Sequence, residues 1–532
     1  MTPTEYVSAL AAWNVNKSVS IRNDIDNALK LFPELADTNP KDVTRYYRNN
    51  TVMDAWPRRF LHPTSEADLV AMLEKEKNNF DSFRGFGDGY GFANANATTG
   101  CLVRSTLMNH GLPLEAENFR SDLPDDFDEN DYVRFEGGVT FEQLIQLLAP
   151  TGRTVIQQPG FKKLTVAGCS AAGGHGSGLG IYGIAGYVQA IELVNFDTNK
   201  NVRVVRVEPS DGMTDPAKYA AAHNDGKHFL KQDDTLFHSA RCAQGHLGVV
   251  SAITIKVTSK FVLQEDRTFS DWNSVWPTLP ALFADPKTHS VHVWINPYTT
   301  NGSTDNPNVL VTRLSHSTQS PWGIRGPGIL FGGPNVLTDF ANVFLGKDFG
   351  PAVDAALKMC QSTGVRMWST EALDFGPPND LPVYAASLGF DAARGDEVIK
   401  KLIPQIAAWR TNGNLVTSPI GMRWVKGSHD FLSPQYGRDT IMLEMPILRA
   451  RFGKDDPAGK QTLDLYANFM MDTFGARPHW GQQNPMTRKQ FEANYGAAVG
   501  SFVKAMKELD PLDMFDGPLS KQIGLRDIAR GK

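Results

Sequence analysis

Two short segments crowded with glycine constrain this chain most strongly. In residues 84–91 (RGFGDGYG) every second residue from Gly85 onward is glycine, and in residues 168–180 (GCSAAGGHGSGLG) small residues fill almost every position. Without side chains, successive backbone N–H groups can turn toward one anion and form a nest that binds phosphate. Two such loops predict that one diphosphate is held from both sides, whereas glycines at tight turns would explain one loop more easily than two.

The familiar nucleotide-binding motifs fit these loops poorly. The chain contains no G-x-x-x-x-G-K-[ST]. Neither loop shows G-x-G-x-x-G between a strand and a helix with an acidic residue about 20 positions later. The sequence therefore favours a dinucleotide-binding site that uses neither of these two motifs.

Composition and charge exclude several classes of protein. The 532 residues are 41% hydrophobic and 21% charged, which is ordinary globular usage, and a net charge of −5 without a basic run argues against nucleic acid as the main partner. The four cysteines are far apart and form no C-x-x-C, so we expect reduced thiols. The histidines show no spacing typical of metal ligands, such as H-E-x-x-H, and we expect no metal site.

The N-terminal segment and the length of the apolar runs indicate where in the cell the protein is expected. The first residues lack the basic start and the continuous apolar core of a secretory signal. No apolar run reaches the roughly 18 residues that a membrane-spanning helix needs. We therefore expect a cytoplasmic protein without a membrane span.

The chain divides into segments with different patterns. Residues 1–50 are polar with helical spacing and are predicted to be an N-terminal extension, and residues 51–260 mix strands and helices. Longer alternating strands with intervening helices follow over residues 261–475, which predicts an antiparallel sheet covered by helices. Within them, residues 318–346 are rich in glycine, proline and large apolar side chains, which fits a lid or binding loop as well as a loop packed on this domain.

The second glycine loop and its surroundings resemble a known flavoprotein family. The run TVAG at 165–168, leading into HGSG at 175–178, is similar to the second FAD-binding loop of the vanillyl-alcohol oxidase family, whose FAD-binding fold is also called PCMH-type. Four other segments of the family are also present, in the order in which the family has them: HPTSE at 62–66, the first glycine loop, GVV at 248–250 and RPHWG at 477–481. The resemblance is greatest to the branch of aldonolactone oxidases, alditol oxidases and type II cholesterol oxidases.

This resemblance implies an α+β fold. It consists of a two-lobed PCMH-type FAD-binding domain, a substrate (cap) domain with an antiparallel sheet covered by helices, and a C-terminal segment, residues 476–532, that returns to the FAD-binding domain. The residues implied for cofactor binding lie in both loops, in a late strand and near the C-terminus. They are Arg84, Gly85, Phe86, Gly87, Asp88, Gly89, Tyr90, Thr165, Gly168, Gly174, His175, Gly176, Ser177, Tyr182, Gly248, Val250, His479 and Trp480.

Two positions depart from the members of the family that bind FAD covalently. Their first loop has the form G-x-G-H-S, with the histidine bonded to FAD, and here Asp88 occupies that position. Members with two covalent bonds add a cysteine two positions before the T-V-G of the second loop, and here that residue is Lys163. The resemblance therefore predicts noncovalent FAD.

The substrate-binding positions depart as well. Sugar-oxidising members carry E-x-R on a cap strand and H-W-G-K near the C-terminus, and the matching residues here are Gly421-Met422-Arg423 and His479-Trp480-Gly481-Gln482. The arginine is kept, while the glutamate and the lysine are replaced. Because the hydroxyls of a polyol need polar partners once they are desolvated, this loss favours a larger or less polar substrate.

The implied function is that of an FAD-dependent oxidoreductase that oxidises a CH–OH group of an alcohol or lactone, with O2 or another acceptor reoxidising the flavin. Arg423, His479 and Gln482 are the candidate catalytic residues, and for Glu371 and Glu444 a structural role is favoured. Two alternatives stay open. One is a sterol-type oxidase acting on a bulky apolar alcohol, and the other is a flavin-binding protein whose catalysis has decayed.

Overall fold

The computed structural model describes residues 57–328, 350–374, 383–448, 450–451, 454–455 and 457–532. The N-terminal extension predicted for residues 1–50 and the greater part of the apolar segment 318–346 lie outside the described residues. Within the described ranges, no helix is both long enough and apolar enough to cross a membrane.

A small parallel sheet and a larger mixed sheet frame the two glycine loops. Their strands are β1 (Arg59–Leu61), β2 (Phe83–Phe86), β3 (Cys101–Arg104), β4 (Gly111–Leu112), β5 (Tyr132–Glu136), β6 (Arg153–Val155), β7 (Val188–Phe196), β8 (Val202–Glu208), β9 (His228–Gln232) and β10 (Val249–Ser259). The strand orders are β1-β3-β2 and β4-β5-β10-β7-β8-β9, with β6 also paired to β10. The helices between them are α1 (Glu66–Glu76), α2 (Phe141–Leu148), α3 (Val166–Ala171), α4 (Pro216–Ala222) and α5 (Asp234–Ala240).

Side-chain caps fix the N-termini of two helices in this part of the chain. The Ser65 hydroxyl accepts a hydrogen bond from the N–H of Asp68 at 3.2 Å, at the start of α1. Thr140 and Gln143 form a capping box at the start of α2. Each cap satisfies backbone N–H groups that the first helical turn leaves without a partner, so these helices begin where their local sequence specifies.

A large antiparallel sheet follows. Its strands are β11 (Val262–Asp271), β12 (Thr288–Ile295), β13 (Asn308–Ser317), β14 (Ser362–Trp368), β15 (Val383–Asp391), β16 (Ile420–Val425), β17 (Thr440–Leu448) and β20 (Arg477–Pro478). Between β17 and β20 in the chain, β18 (Ala450–Arg451) and β19 (Lys454–Asp455) form a separate two-stranded sheet. The order in the sheet is β14-β11-β13-β12-β16-β17-β15-β20. The chain changes sheets between Ser259 and Val262, next to residue 260, where the sequence places a domain boundary; the division into domains remains our proposal.

The two faces of this sheet have different neighbours. The accompanying helices are α6 (Trp272–Val275), α7 (Leu279–Ala284), α8 (Gly350–Met359), α9 (Ser369–Ala372), α10 (Gly395–Thr411) and α11 (Pro457–Phe474). Leu443 and Met445 of β17 lie in the hydrophobic core that includes residues of α10 and α11. Glu444 and Pro446 point the other way and line a cavity, because successive strand residues face opposite sides.

The C-terminal segment contacts both parts. β20 pairs with β15 in the large sheet, and α12 (Arg488–Tyr495), α13 (Ala497–Leu509), α14 (Pro518–Gln522) and α15 (Leu525–Ala529) follow. Between α13 and α14 the chain returns to β2, where the N–H of Phe83 donates to the carbonyl of Met514 at 2.8 Å.

His228, at the start of β9, fastens α1 to the mixed sheet. Its Nε2 lies 3.0 Å from Glu66 Oε1 and its Nδ1 lies 2.7 Å from Asp225 Oδ2. The hydrogen bond to Glu66, assisted by the one to Asp225, raises the pKa of His228 from 6.5 to about 9. Because protonation is favoured in the folded state, the contribution of His228 to stability is complete below about pH 6.5 and is lost as the pH rises through about 9.

We therefore expect His228→Gln to flatten the fall of stability between pH 6.5 and 9. The wild type should lose about 1 kcal/mol across this window through His228, since solvent screens the half-exposed pair, whereas glutamine cannot titrate. Thermal denaturation at several pH values checks this. His110→Gln is a matched control, because exposed His110 bonds Glu136 at 2.9 Å on another strand. A His228→Gln curve that parallels the wild type would contradict the assignment.

Candidate active site

A cavity of about 400 Å³ lies between the two glycine loops and reaches the large sheet. This volume is within the usual range for small-molecule and cofactor sites. Most residues that the sequence singles out are brought together around it. They are Gly85, Phe86, Gly87, Asp88, Gly89, Tyr90, Thr165, Gly168, Gly174, His175, Gly248, Val250, Arg423, His479 and Gln482.

The two glycine loops touch each other at Gly87 and Thr165. A β-carbon at Gly87 would lie 2.5 Å from Thr165 Oγ1, far closer than atoms can approach. The same Oγ1 accepts a hydrogen bond from the N–H of Gly168 at 3.3 Å and caps α3. A β-carbon at Gly174 would lie 2.2 Å from Cys169 Sγ. Gly87 and Gly174 are therefore required, because neighbouring residues already fill the space that a side chain would need.

A polar cluster lies where the cavity meets the large sheet. Arg423 Nη2 lies 3.2 Å from Glu444 Oε2, and Gln482 Nε2 donates to Glu444 Oε1 at 2.7 Å. Ser387 of β15 lines the cavity beside them, directly opposite Glu444 in the sheet. The Ser387 hydroxyl and Gln482 Oε1 are buried and have no hydrogen-bond partner within the described residues. Both oxygen atoms can therefore accept a hydrogen bond from a ligand.

Two histidines face each other at the cavity, with ring centroids 5.8 Å apart. Burial lowers the pKa of His479 to about 4 and that of His175 well below its usual value, so both rings are neutral at neutral pH. The N–H of Gly481 donates to His479 Nδ1 at 3.1 Å, which places the His479 proton on Nε2. His175 Nδ1 lies 2.9 Å from the carbonyl of Gly176 and donates to it, which leaves a lone pair on Nε2.

Five residues expected to bind the cofactor do not line the cavity: Arg84, Gly176, Ser177, Tyr182 and Trp480. The Ser177 hydroxyl instead donates to the carbonyl of Val291 at 2.6 Å. The Trp480 indole donates to the carbonyl of Leu432 at 2.6 Å. These two side chains hold neighbouring segments together. Glu371 also stays away from the cavity, in an exposed position on α9.

Glu444 supplies a carboxylate that the sequence pattern places at residue 421. In the sheet, Gly421 of β16 is paired directly with Glu444 of β17. A β-carbon at Gly421 would lie 2.9 Å from the Trp294 ring, so the space of a side chain at residue 421 is already filled. The expectation that the site has lost its acidic group is therefore wrong, because the neighbouring strand provides one. Its signal in the sequence is that Glu444 is the sole charged residue of β17.

The described residues include all four cysteines of the chain. Cys101, Cys169, Cys242 and Cys360 are free and buried. Burial raises the pKa of Cys169, which lines the cavity, to about 12, so its thiol is protonated at neutral pH. Among the residues that the structure describes, no group of three or more histidine, cysteine, aspartate or glutamate side chains is arranged to hold a metal ion.

Comparison with known proteins gives consistent matches. A model of the D-arabinono-1,4-lactone oxidase family matches residues 253–523, about half of the chain, and a model of an FAD-binding domain matches residues 57–204. The chain is 21% identical to L-gulono-1,4-lactone dehydrogenase of Mycobacterium tuberculosis, over 88% of this chain and 96% of that protein. It is 24% identical to alditol oxidase of a Streptomyces species, over 75% of this chain and 81% of that protein. A cholesterol oxidase structure from B. sterolicum superposes with a TM-score of 0.67 at 12% identity, over 90% of this chain and 95% of that one.

Proposed function

This chain belongs to the D-arabinono-1,4-lactone oxidase family of FAD-dependent oxidoreductases that act on CH–OH donors, and from this premise we propose that it oxidises a small, multiply hydroxylated alcohol or lactone. The family, the PCMH-type α+β fold and the enzyme class predicted from the sequence are confirmed. The polarity of the substrate, the roles of individual residues and the mode of FAD attachment are our proposal.

The residues around the cavity fit FAD. The two glycine loops approach each other closely, as a grip on a diphosphate from both sides requires. Gln244 Oε1 is a buried oxygen at the cavity without a hydrogen-bond partner in the described part of the chain. A hydroxyl or N–H group of the cofactor would satisfy it. We assign residues 85–90 and 165–175 to cofactor binding, with Gln244 as an additional contact.

Noncovalent attachment is supported by the groups at the two linkage positions. Asp88 lies in the first loop with its carboxylate 3.6 Å from Arg104 Nη2, and this ion pair is buried. Lys163 replaces the cysteine of members with two covalent bonds. Cys169 does not substitute for it, because a protonated thiol is a poor nucleophile.

Acid precipitation tests this assignment. We expect a colourless pellet and a yellow supernatant, because unfolding releases a cofactor that is held only by the fold. Absorbance at the flavin bands of both fractions is the measurement. A yellow pellet would contradict noncovalent binding and would direct attention to His175, whose Nε2 carries a lone pair at the cavity.

The proposed polarity of the substrate rests on two buried oxygen atoms that have no hydrogen-bond partner among the described residues. The Ser387 hydroxyl and Gln482 Oε1 lie beside the Arg423–Glu444 pair in a buried part of the cavity. Leaving such a group buried without a partner costs about 1–3 kcal/mol, so a ligand with hydroxyls at these places is favoured over one that is apolar there. This favours a polyol or a sugar lactone over a sterol. It also replaces our expectation of a less polar substrate.

In the proposed reaction, Arg423 and Glu444 act on the hydroxyl group of the substrate. FAD held by the two glycine loops would supply the acceptor for the hydride of the substrate carbon. The buried Arg423 guanidinium stabilises the negative charge that develops on the substrate oxygen. Glu444 takes the hydroxyl proton, held in place by the N–H groups of Arg423 and Gln482. The loss of a hydride from carbon and a proton from oxygen leaves a carbonyl.

His479 is poorly suited to accept the hydroxyl proton as a base. Its Nδ1 already accepts the N–H of Gly481 and its Nε2 carries the proton. Protonation of the ring is also opposed by burial, which lowers the pKa of His479 to about 4. We therefore assign His479 as a neutral hydrogen-bond donor toward bound ligand.

A substrate panel tests the proposed function. Aldonolactones, alditols, cholesterol and aromatic alcohols are mixed anaerobically with the purified flavoprotein, and bleaching of the flavin absorbance is recorded. We expect bleaching by a lactone or an alditol and none by cholesterol. Bleaching by cholesterol alone would overturn the substrate class in favour of the sterol-type alternative. No bleaching by any compound, with FAD bound, would support decayed catalysis.

A further inference from the structure

Arg84 immediately precedes the first glycine loop and is buried, with 1% of its surface exposed. Its guanidinium donates to the carbonyl oxygens of Gly245 at 3.0 Å and Phe515 at 2.7 Å, and also to those of Ala95 and Gln244. Burial lowers the pKa of Arg84 to about 10. The group is therefore still a cation at neutral pH and offsets the partial negative charge of four converging oxygen atoms.

Three of these carbonyl groups belong to the wall of the cavity. Ala95, Gln244 and Gly245 all line it, while Arg84 itself does not. Ala95 follows the first glycine loop, and the other two precede β10. Arg84 therefore fixes the relative position of two wall segments that are distant in the chain.

The fourth carbonyl group belongs to the C-terminal turn, which we define as residues 510–517. The Ser82 hydroxyl donates to the carbonyl of Asp516 at 2.9 Å, and the N–H of Phe83 donates to the carbonyl of Met514 at 2.8 Å. Asp510 closes the turn by accepting the N–H of Met514 at 2.8 Å. The C-terminal turn is thus docked on β2, the strand that leads into the first glycine loop.

We propose that Arg84 is a positioning residue that couples docking of the C-terminal turn to the shape of the FAD site. Ordering of the turn supplies one of the four acceptors that hold the guanidinium, and the other three set the wall against which FAD binds. The inference rests on FAD binding and is independent of the substrate class. It also gives Arg84 a role other than the direct cofactor contact expected from the sequence.

The shape of arginine is essential to this role. A guanidinium presents its donors in a rigid planar fork, whereas a lysine ammonium is a compact charge on a flexible stem. Lysine at residue 84 keeps the positive charge but cannot serve the same four carbonyl groups at once. Arg84→Lys therefore separates the geometric function from the charge.

The test compares Arg84→Lys with Arg206→Lys. Arg206 is also buried and lies in the mixed sheet, where it is paired with Glu192 and Glu208 at 2.7 Å. FAD titration of the apoproteins gives the dissociation constant, and chymotryptic cleavage after buried Phe515, followed by mass spectrometry, reports undocking of the turn. For Arg84→Lys we expect a dissociation constant about tenfold higher and faster cleavage. Arg206→Lys should change neither quantity at temperatures where it is folded.

A second variant removes a different set of contacts of the C-terminal turn. Arg526 of α15 bonds Asp513 at 2.6 Å and also bonds Asp510, so Arg526→Gln loosens the turn while leaving Arg84 intact. If docking and FAD binding are coupled, this variant also binds FAD more weakly, and FAD slows cleavage after Phe515 in the wild type. Wild-type FAD affinity in Arg526→Gln despite faster cleavage would overturn the coupling. So would Arg84→Lys protein that binds FAD within about twofold of the wild type.

Discussion

Replacing Arg423 by methionine should lower kcat/KM by about two to three orders of magnitude. Methionine roughly fills the volume of the arginine stem but removes the buried charge that lies 3.2 Å from Glu444. The charge proposed to develop on the substrate oxygen then lies in a buried site without the Arg423 cation beside it. The rate of anaerobic flavin bleaching, measured with the substrate that the panel identifies, gives the effect on the chemical step directly.

Controls separate this effect from a general loss of stability. Arg267→Met removes another buried arginine of the large sheet, one that is paired with Glu265 at 2.9 Å and does not line the cavity. We expect it to lower the melting temperature but not the bleaching rate. Arg423→Lys should recover part of the rate, because it restores a charge without the fork geometry. Wild-type bleaching by Arg423→Met would remove Arg423 from the catalytic residues.

The local features of the fold were predictable from the sequence because they depend on neighbouring residues. Ser65 and Thr140 start helices through contacts within three positions of the chain. The alternating strands of the large sheet likewise follow from a pattern with period two. The two glycine loops were recognisable for the same reason, and the structure brings them to one cavity.

The origin of the carboxylate in the site was not predictable, because it depends on strand register. Glu444 and Gly421 are 23 positions apart and become neighbours only when β16 and β17 pair. Filling of the space beside Gly421 by Trp294 depends on a third strand, β12. The sequence therefore predicted the strand that carries Arg423 but not the strand that supplies the carboxylate beside it.

Sequence patterns also do not distinguish contact with a ligand from support of the residues that make contact. Arg84 belongs to the same glycine-rich motif as the lining residues, yet its guanidinium is turned toward four carbonyl groups. Trp480 belongs to the same C-terminal motif as His479, yet its indole is buried against Leu432. Side-chain direction depends on tertiary packing, which a local motif does not encode.

Replacing Gly87 by valine should raise the dissociation constant for FAD about a hundredfold or more. Its β-carbon alone would lie 2.5 Å from Thr165 Oγ1, and the branched side chain would push the first loop away from the second. Displacement of Thr165 also removes the cap that its hydroxyl provides to the N–H of Gly168. One substitution therefore opens both sides of the proposed diphosphate grip. FAD content after purification and titration of the apoprotein are the measurements.

Gly180→Ala is the matched control for this steric argument. Gly180 lies at the end of the second glycine-rich segment, and a β-carbon there would meet no atom within 4 Å. Because neither Gly87 nor Gly180 has a positive φ, the two positions differ in available space and not in backbone strain. Gly180→Ala should therefore retain FAD at wild-type affinity, and Gly87→Ala should be intermediate, since Thr165 can yield more easily to a single methyl group. Gly87→Val protein that is isolated with stoichiometric FAD would show that contact between the loops is not needed to bind the cofactor.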